Sequence, residues 1–277
     1  MDMNGNTAGE CIGLIGAGEM GSGVGGWLVR HGADVRTTLA GRSAASAERV
    51  RRAGIGTVDD LAAVARCPLI LSIVPPDRAL GVALGFVAAY VPRPEPPVYV
   101  DCNAIAPETA RAVAGVITGA GVRFVDAGII GGAPREGYDG PNIYACGPDV
   151  APFAALGAHG LRVRVLDGPV GVASGLKMCY GGLTKGITGI GSAMFACAES
   201  HGLSAALEAE FSASQPALFA WLTRQIPTMY PKAYRWDGEM REIAVFGRDE
   251  AGVGKMYEGL AERYAAIGAA QAAKGGA

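Results

Sequence analysis

Three glycines near the start of the chain, Gly16, Gly18 and Gly21, have the spacing G-x-G-x-x-G. They follow a short apolar run typical of a buried strand, and helically spaced apolar residues come after them. In such a turn the first glycine allows the bend, the second brings the backbone close to a pyrophosphate, and the third lets the helix pack on the strand. The segment therefore predicts a dinucleotide site, formed by these glycines with Glu19 and Met20.

The end of the second predicted strand indicates which dinucleotide is preferred. NAD-binding proteins usually carry an acidic residue there, which binds the ribose 2′-hydroxyl. This chain has Arg42 and Ser43 instead. A guanidinium and a hydroxyl can bind a 2′-phosphate, so the sequence favours NADP over NAD. The alternative is that Arg42 is a solvated loop residue and that Ser43 only caps the next helix.

A second set of polar residues shares one face of a predicted helix. Lys177, Tyr180, Gly181 and Thr184 are spaced i, i+3, i+4 and i+7, which brings an amine, a phenol and a hydroxyl together. Reduction of a carbonyl by hydride requires a proton for the new alkoxide, and a lysine close to a nicotinamide can donate it. The alternatives are a solvated lysine and a packed tyrosine.

Further candidates follow other predicted strands. Val74 and Pro75 end one strand, where a loop can lie over the cofactor. Asn103 follows the next strand and could direct its amide to the substrate or to the nicotinamide, in a catalytic or a cofactor-binding role. Gly131 and Gly132 leave backbone N–H groups open to a substrate carboxylate. No metal-ligand spacing is visible in the sequence.

For the candidate residues above to form one site, strands and helices must hold them at one edge of a sheet. Short apolar runs alternate with helical stretches as far as about residue 170, which predicts an α/β fold with a doubly wound parallel sheet. From residue 171 the pattern is helical only. We therefore expect an NADP-binding Rossmann domain at 1–170 and an all-α substrate and dimerisation domain at 171–277. Small polar residues predict frayed tails at 1–9 and 269–277.

Composition limits the possible partners. Of the 277 residues 50% are hydrophobic and 18% are charged, which is sufficient for a large core. A net charge of −2 provides no basic surface for nucleic acid or an anionic membrane, so we expect a small-molecule partner. The most apolar stretch, 179–198, is interrupted by Lys185 and predicts no membrane span. Six scattered cysteines and the absence of a leader predict reduced thiols in the cytoplasm.

Four segments resemble, in order and spacing, the β-hydroxyacid dehydrogenases, relatives of 6-phosphogluconate dehydrogenase. These segments are the glycine loop at 13–21, Asp101-Cys102-Asn103-Ala104 with Pro107, Phe124-Val125-Asp126-Ala127 running to Gly132, and Gly171 to Lys177. The resemblance implies an N-terminal Rossmann domain, a helical C-terminal domain and NAD(P)-dependent oxidation or reduction at a carbon bearing oxygen. It also implies a homodimer whose helical domains build the substrate cleft together, and it makes Lys177 the acid/base residue.

The chain departs from the family pattern at three positions that face the substrate. Ile130 replaces the serine of Ser-Gly-Gly, Tyr180-Gly181 replaces an asparagine pair, and Asn103-Ala104 replaces Ser-Thr. The short hydroxyacids that are the usual substrates of the family therefore cannot be assigned to this chain from the resemblance alone. The helical region resembles a less-studied branch of the superfamily. We expect an NADP-dependent dehydrogenase of a small hydroxyacid-like substrate. The alternatives are an imine (C=N) reductase of the same superfamily, with Tyr180 as the donor, and a non-catalytic NADP-binding sensor.

Overall fold

The structure, a computed structural model, describes residues 11–138 and 140–275. The chain divides into two units, Met1–Lys177 and Met178–Ala277. The division lies inside the long helix that begins at Val172, whereas the sequence places it near residue 170. The predicted tail at 1–9 lies outside the described residues, as do residues 276–277. Residues 269–275, predicted as a frayed tail, are helical instead.

One sheet of eight strands forms the centre of the first unit. The strands are β1 (Cys11–Ile15), β2 (Asp34–Thr38), β3 (Gly56–Val58), β4 (Leu69–Ser72), β5 (Val98–Asp101), β6 (Arg123–Ile130), β7 (Asn142–Cys146) and β8 (Arg162–Val165). Their order in the sheet is β3-β2-β1-β4-β5-β6-β7-β8. The connection from β3 returns across the sheet to β4, as expected of a doubly wound fold. The predicted fold class is confirmed.

Helices connect these strands and cover the sheet. They are α1 (Glu19–Arg30), α2 (Ala44–Ala53), α3 (Leu61–Val64), α4 (Ala79–Ala89), α5 (Pro107–Gly119) and α6 (Ala151–Ala154), with 3₁₀ turns at Pro76–Arg78 and Ala155–His159. Alternate residues of β4 enter two different apolar clusters, Leu69 and Leu71 in one and Ile70 in the other. Because successive strand residues point to opposite faces, the sheet is buried on both sides.

One strand pair departs from the predicted parallel sheet. β7 runs antiparallel to β6, with Ile129 opposite Ile143. The segment between Ile130 and Asn142 joins the two strands, and its described residues, 131–138 and 140–141, contain no helix. A direct connection of this kind returns the chain as a hairpin, because parallel pairing requires a longer crossover. The loop 131–141 therefore lies at the edge where β6 ends.

The expectation of six reduced thiols is wrong for one pair. Cys11 and Cys67 form a disulfide, with their Cα atoms 5.1 Å apart. Cys11 is the first residue of β1 and Cys67 shortly precedes β4, and these two strands are parallel neighbours. The 56-residue separation in sequence hides this proximity. This disulfide does not support the predicted cytoplasmic location, which rested in part on reduced thiols.

The described part of the second unit is helical throughout. It contains most of α7 (Val172–Ser200), then α8 (Ser204–Ser214), α9 (Pro216–Met229), α10 (Ala233–Phe246) and α11 (Val253–Gly275), with a 3₁₀ turn at Tyr230–Lys232. α11 packs closely on α7, because a Cβ atom at Gly182 would lie 2.8 Å from the Tyr257 hydroxyl. None of the described helices is both long enough and apolar enough to span a membrane.

A buried ion pair ties α7 to α10. The Lys185 ammonium contacts the Glu239 carboxylate and lies 5.4 Å from the centre of the Trp236 ring. Both charged side chains are largely buried, and the Tyr264 hydroxyl donates to the Lys185 carbonyl at 2.6 Å. Mutual pairing is what allows opposite charges to remain in such an environment. The lysine that interrupts the apolar stretch of α7 therefore belongs to the interior of the second unit.

Candidate functional site

The glycine loop after β1 is shaped by close backbone contacts. Gly16 has a φ of +97°, and a Cβ atom there would lie 2.2 Å from the carbonyl oxygen of Ile73. A Cβ atom at Gly21 would lie 1.9 Å from the carbonyl oxygen of Gly16. Side chains are therefore excluded at Gly16 in the bend and at Gly21 in α1. The loop passes tightly between β1 and the end of β4.

The middle glycine faces open space. Gly18 caps α1, and a Cβ atom there would have no neighbour within 4 Å. Glu19 and Met20 follow it in the first turn, where Glu19 is exposed and Met20 is half-buried. The N-terminal N–H groups of a helix attract anions, and a glycine without neighbours lets a phosphate approach the backbone. The residues present therefore fit the pyrophosphate of a dinucleotide.

The next helix supplies an arginine to the same loop. Arg49 of α2 donates from Nε to the carbonyl oxygen of Ala17 at 3.5 Å and from Nη2 to the Ser46 hydroxyl at 3.0 Å. The Ser43 hydroxyl lies 3.2 Å from that of Ser46 and accepts from its backbone N–H at 3.3 Å. Arg42 is exposed beside them. A cluster of two arginines and two serines thus stands between β2 and the glycine loop.

The sequence predicts Arg42 and Ser43 as cofactor-binding residues and does not point to Arg49 and Ser46, which the structure places beside them. Their signal is the i, i+3, i+6 spacing of Ser43, Ser46 and Arg49, which places all three on one side of α2. Glu48, the acidic residue of α2, binds Arg51 and Arg52. Their hydrogen bonds lower the pKa of the Glu48 carboxyl to about 2. That pairing leaves the cluster positively charged.

Asn103 is buried at the end of β5, with its amide bonded to neighbouring backbone and side chains. Its Oδ1 accepts from the Val74 N–H at 2.7 Å, and its Nδ2 donates to Asp101 at 2.9 Å and to the Ser72 hydroxyl at 3.4 Å. These bonds fix the Val74-Pro75 segment after β4. The structure therefore places Asn103 behind the loop, in contact with Val74, and its predicted contact with substrate or cofactor stays a prediction.

The carboxylate that holds Asn103 is itself buried. Asp101 accepts from the Asn103 backbone N–H at 2.9 Å as well as from its side chain. Burial raises the pKa of Asp101 to about 7, against the effect of these hydrogen bonds, which favour the charged form. Burial likewise raises the pKa of the adjacent Cys102 thiol well above its usual value. A thiol in this state is not a nucleophile.

Two further predicted residues follow β6. Gly131 has a φ of +131°, and a Cβ atom there would lie 2.6 Å from the Tyr138 hydroxyl oxygen. Gly132 is exposed, and a Cβ atom there would have no neighbour within 4 Å. The first glycine is required by the turn, and the second leaves the backbone open. This pair lies at the same edge of the sheet as Gly16 and Val74, because β1, β4, β5 and β6 are parallel.

Lys177 lies against the end of β6. Its Nζ donates to the carbonyl oxygen of Ile129 at 2.5 Å. Close packing makes this possible, because a Cβ atom at Gly128 would lie 3.0 Å from both the Ala173 carbonyl oxygen and the Lys177 Cβ. The amine is therefore held at the carboxyl edge of the sheet, one residue before the strand ends.

The first turn of α7 is fixed by a residue that the sequence did not select as part of the site. The Asp126 carboxylate accepts from the backbone N–H groups of Gly171 and Ser174, at 2.8 and 3.1 Å, and from the Ser174 hydroxyl at 2.5 Å. The Cys146 thiol donates to the same carboxylate at 3.4 Å. The signal available in the sequence is an acidic residue inside a buried apolar strand. Asp126 acts on Lys177 through the helix rather than by contact.

The remaining candidates lie further along α7. Tyr180 is 49% exposed, and Thr184 is half-buried with its hydroxyl donating to the Tyr180 carbonyl at 2.9 Å. Gly181 is buried near Ile243 of α10. The predicted helix and the shared face of Lys177, Tyr180 and Thr184 are present. The described residues contain no group of acidic, histidine and cysteine side chains suited to a metal ion.

Comparisons with known proteins agree with this geometry. Residues 11–152 match the family model of the NAD binding domain of 6-phosphogluconate dehydrogenase, and residues 198–267 match a domain of unknown function, DUF1932. A Methanothermus fervidus protein, described as an uncharacterized 28.5 kDa protein in the 7S RNA 5′ region, is 29% identical over 193 residues. That match covers 69% of this chain and 72% of the relative.

Solved structures share the whole architecture. The conserved protein MTH1747, of unknown function and described as similar to 3-hydroxyacid dehydrogenases, is 28% identical with a TM-score of 0.69. The match covers 93% of this chain and 97% of that one. Mycobacterium tuberculosis 3-hydroxyisobutyrate dehydrogenase, solved with L-serine, is 17% identical with a TM-score of 0.72 and 94% coverage of both chains, a likeness of fold. The resemblance inferred from the four segments is confirmed: the chain belongs to the family of the NAD binding domain of 6-phosphogluconate dehydrogenase.

Proposed function

We propose that this protein is an NADP-dependent oxidoreductase that interconverts the carbinol and carbonyl forms of a small hydroxyacid-like substrate, with Lys177 as the acid/base residue. The family and the fold neighbours are dehydrogenases and reductases, which supports an oxidoreductase. The observation that carries the proposal is the position of the Lys177 Nζ. It donates to the Ile129 carbonyl at the sheet edge where the glycine loop lies.

The chemistry divides between a bound cofactor and this chain. When bound, the nicotinamide supplies a hydride to the carbonyl carbon or accepts one from the carbinol carbon. In the reducing direction the substrate oxygen needs one proton, and Lys177 is the residue we assign to donate it. The Ile129 carbonyl oxygen orients the ammonium by accepting one of its three N–H groups. In the oxidising direction the neutral amine takes the proton back.

The preference for NADP rests on the cluster beside the glycine loop. Arg42, Ser43, Ser46 and Arg49 present two guanidinium groups and two hydroxyls where a ribose 2′-phosphate is expected. Charged hydrogen bonds to phosphate are stronger than neutral ones. Glu48 binds Arg51 and Arg52 on its own helix and so does not neutralise the cluster.

Cofactor affinities test this preference. NADPH should bind more tightly than NADH, and Arg42→Ala and Arg49→Ala should each lose about 1.5 to 3 kcal/mol for NADPH, since each removes a charged hydrogen bond to the 2′-phosphate. NADH affinity should change little. Fluorescence titration of both reduced cofactors measures the difference. Arg51→Ala, on the same helix but paired with Glu48, is the matched control. Equal affinities of the parent protein for the two cofactors would contradict the assignment.

Turnover tests the role of Lys177. A screen of NADPH oxidation against hydroxyacids, semialdehydes, ketoacids and cyclic imines identifies a substrate. With it, Lys177→Met should lower turnover by roughly 10² to 10⁴ while NADPH affinity stays within about threefold, as expected for a lost general acid. Lys255→Met removes an exposed lysine of α11 and should leave both quantities unchanged. Full turnover in Lys177→Met would remove the lysine from the mechanism.

The half-exposed Tyr180 favours a second candidate, the reduction of a C=N bond. Its phenol follows Lys177 by one helical turn, on the same face of α7. In the carbonyl mechanism Tyr180→Phe should cost about tenfold or less, through lost positioning. In the imine mechanism the phenol is the donor, and its loss should exceed that of Lys177→Met. NADPH binding without turnover of any compound in the screen would favour the third reading, a sensor.

We also propose that the protein is a homodimer. The second unit exposes an apolar stripe on α7, formed by Tyr180, Leu183, Ile187, Ile190 and Met194 at alternating spacings of three and four. This spacing is the seam of a helix that packs along another helix. α8 contains no buried residue, and its large apolar side chains, Leu207 and Phe211, are half-buried. A second copy of the same stripe is the matching partner under two-fold symmetry.

The oligomeric state of stripe variants tests the dimer. Light scattering at micromolar concentration should report twice 28.2 kDa for the parent protein. Leu183→Glu with Ile190→Glu should give a monomer, because charges in a helix–helix seam are costly to desolvate. Val91→Glu, at an exposed apolar residue of the first unit, should remain a dimer. A monomeric parent protein, or a dimeric double variant, would contradict the proposal.

A further inference from the structure

Four polar side chains form a buried row across the sheet, near its carboxyl edge. They are paired in register on β4, β5, β6 and β7, and they are Ser72, Asp101, Asp126 and Cys146. Residues paired in this way point to the same face of a sheet. Each of the four residues is at most 1% exposed. Two acidic side chains therefore stand side by side in the interior of the first unit.

The two carboxyl groups are close enough for the charge of one to oppose ionisation of the other. Neighbouring strands lie about 4.8 Å apart, and a like charge within about 4 to 6 Å disfavours the charged form. The protein interior strengthens this repulsion, because it screens charges less than water does. Among the described residues, no salt bridge joins a lysine or an arginine to Asp101 or Asp126.

Hydrogen bonds determine which of the two acids holds a proton. Asp126 accepts from four donors, which are the N–H groups of Gly171 and Ser174, the Ser174 hydroxyl and the Cys146 thiol. Asp101 accepts from two, both of them on Asn103. Because donors stabilise a carboxylate, Asp126 is the better anion and Asp101 the better acid. Burial and, to a smaller extent, the charge of Asp126 raise the pKa of Asp101 to about 7.

The other titratable side chains of these strands do not change charge near neutral pH. Tyr99 precedes Asp101 by two residues on the same face, Cys102 follows it on the opposite face, and Cys146 lies beside Asp126. Burial is the main cause of the raised pKa of all three groups. They are therefore neutral where Asp101 titrates.

Charged side chains also approach from the helices that pack on this face. α4 has no titratable residue, and α5 has Glu108 and Arg111, which are both exposed. A Cβ atom at Gly171 would lie 2.8 Å from the Arg111 Nη1. From α7, the Lys177 Nζ donates to a main-chain carbonyl of β6. A guanidinium keeps its charge at every relevant pH, so Lys177 is the group on these helices that a pH experiment has to separate from the acids.

We propose that Asp101 and Asp126 hold one proton between them and that its loss to solvent loosens the two segments that these acids fix, which makes the pair a pH-sensitive device at the cofactor edge. One segment is Val74-Pro75, held by Asp101 through the Asn103 amide. The other is the first turn of α7, held by Asp126. The singly protonated pair is the relaxed form, and the doubly ionised pair is the repulsive one.

The pH dependence of unfolding tests the shared proton. An unfolded aspartate has a pKa of about 3.9, whereas that of Asp101 in the folded chain is about 7. Between these values the folded chain holds a proton that the unfolded chain has lost, so stability falls as the pH rises, and above them this contribution is flat. In urea titrations the unfolding constant of the parent protein should rise by up to about tenfold per pH unit in this window, relative to Asp101→Asn.

Two further variants serve as controls. Asp34→Asn, at an exposed aspartate of β2, and Lys177→Met should both keep the pH dependence of the parent protein. Loss of the dependence in Lys177→Met would assign the titration to the lysine and overturn the proposal. The same dependence in Asp101→Asn as in the parent protein would also overturn it.

Infrared spectroscopy of the folded parent protein measures the proton without any variant, and so decides the matter even if Asp101→Asn does not fold. The carbonyl stretch of a protonated carboxyl group should persist to about pH 6 and disappear with a midpoint near 7. Its complete loss below about pH 5, as for ordinary aspartates, would overturn the proposal.

Hydrogen exchange tests the effect on the two segments. Rates are measured at about pH 6 and about pH 8 and divided by the intrinsic rates of an unfolded chain. Peptides covering residues 70–80 and 171–180 of the parent protein should then exchange at least about threefold faster at the higher pH, since weakened hydrogen bonds open more often. Asp101→Asn should show no such difference. Equal corrected rates at both pH values in the parent protein would overturn the proposal.

Discussion

The Asp126 carboxylate joins the sheet to the helix that carries Lys177. It lies inside β6, where an unpaired charge would be costly, and it is satisfied by the Gly171 and Ser174 N–H groups and by the Ser174 hydroxyl. These donors belong to the start of α7, whose N-terminal N–H groups would otherwise lack partners. One interaction therefore satisfies a buried acid and caps a helix of 29 residues. The position of the lysine on β6 depends on it.

On the neighbouring strand, β5, a second buried aspartate fixes the loop that follows β4. Asp101 of β5 is paired in register with Asp126 of β6, so two buried carboxylates stand side by side near the edge. Asp101 holds Asn103, which in turn holds the Val74 N–H. Burial is the main cause of the raised pKa of Asp101, and the charge of Asp126 adds to it. Each acid thus fixes a segment that borders the cofactor edge, and neither needs to contact a ligand.

Local patterns explain why much of this site could be predicted. The bend at Gly16, the open Gly18 and the helical face of Lys177, Tyr180 and Thr184 follow from short-range spacing, which the sequence displays directly. The alternation of apolar runs and helices likewise predicts the α/β order. The family resemblance adds the reaction type, but the departures at Ile130 and Gly181 show that it does not supply the substrate.

Contacts between distant segments could not be predicted from these patterns. The contacts of Arg49 with Ala17 and of Cys11 with Cys67 join residues that are far apart in sequence, and no local spacing encodes either contact. The antiparallel β7 depends on the loop 131–141 being a direct connection, whereas the apolar pattern of a strand does not show its direction. The hydrogen bonds of Asn103 with Val74 and Ser72 likewise join residues that are not neighbours in sequence, so the sequence does not predict them.

Hydrogen exchange in the first turns of α7 tests most directly whether Asp126 holds this helix. Asp126→Asn keeps the size of the side chain, but replaces one acceptor oxygen with a donor that faces the N–H groups of the helix. Mass spectrometry of peptides covering residues 171–180 should show exchange at least about tenfold faster than in the parent protein, as a lost charged hydrogen bond implies. Peptides of α5 should be unchanged, and Asp34→Asn, at an exposed aspartate of β2, should have no effect. Unchanged exchange at the start of α7 in Asp126→Asn would contradict the account.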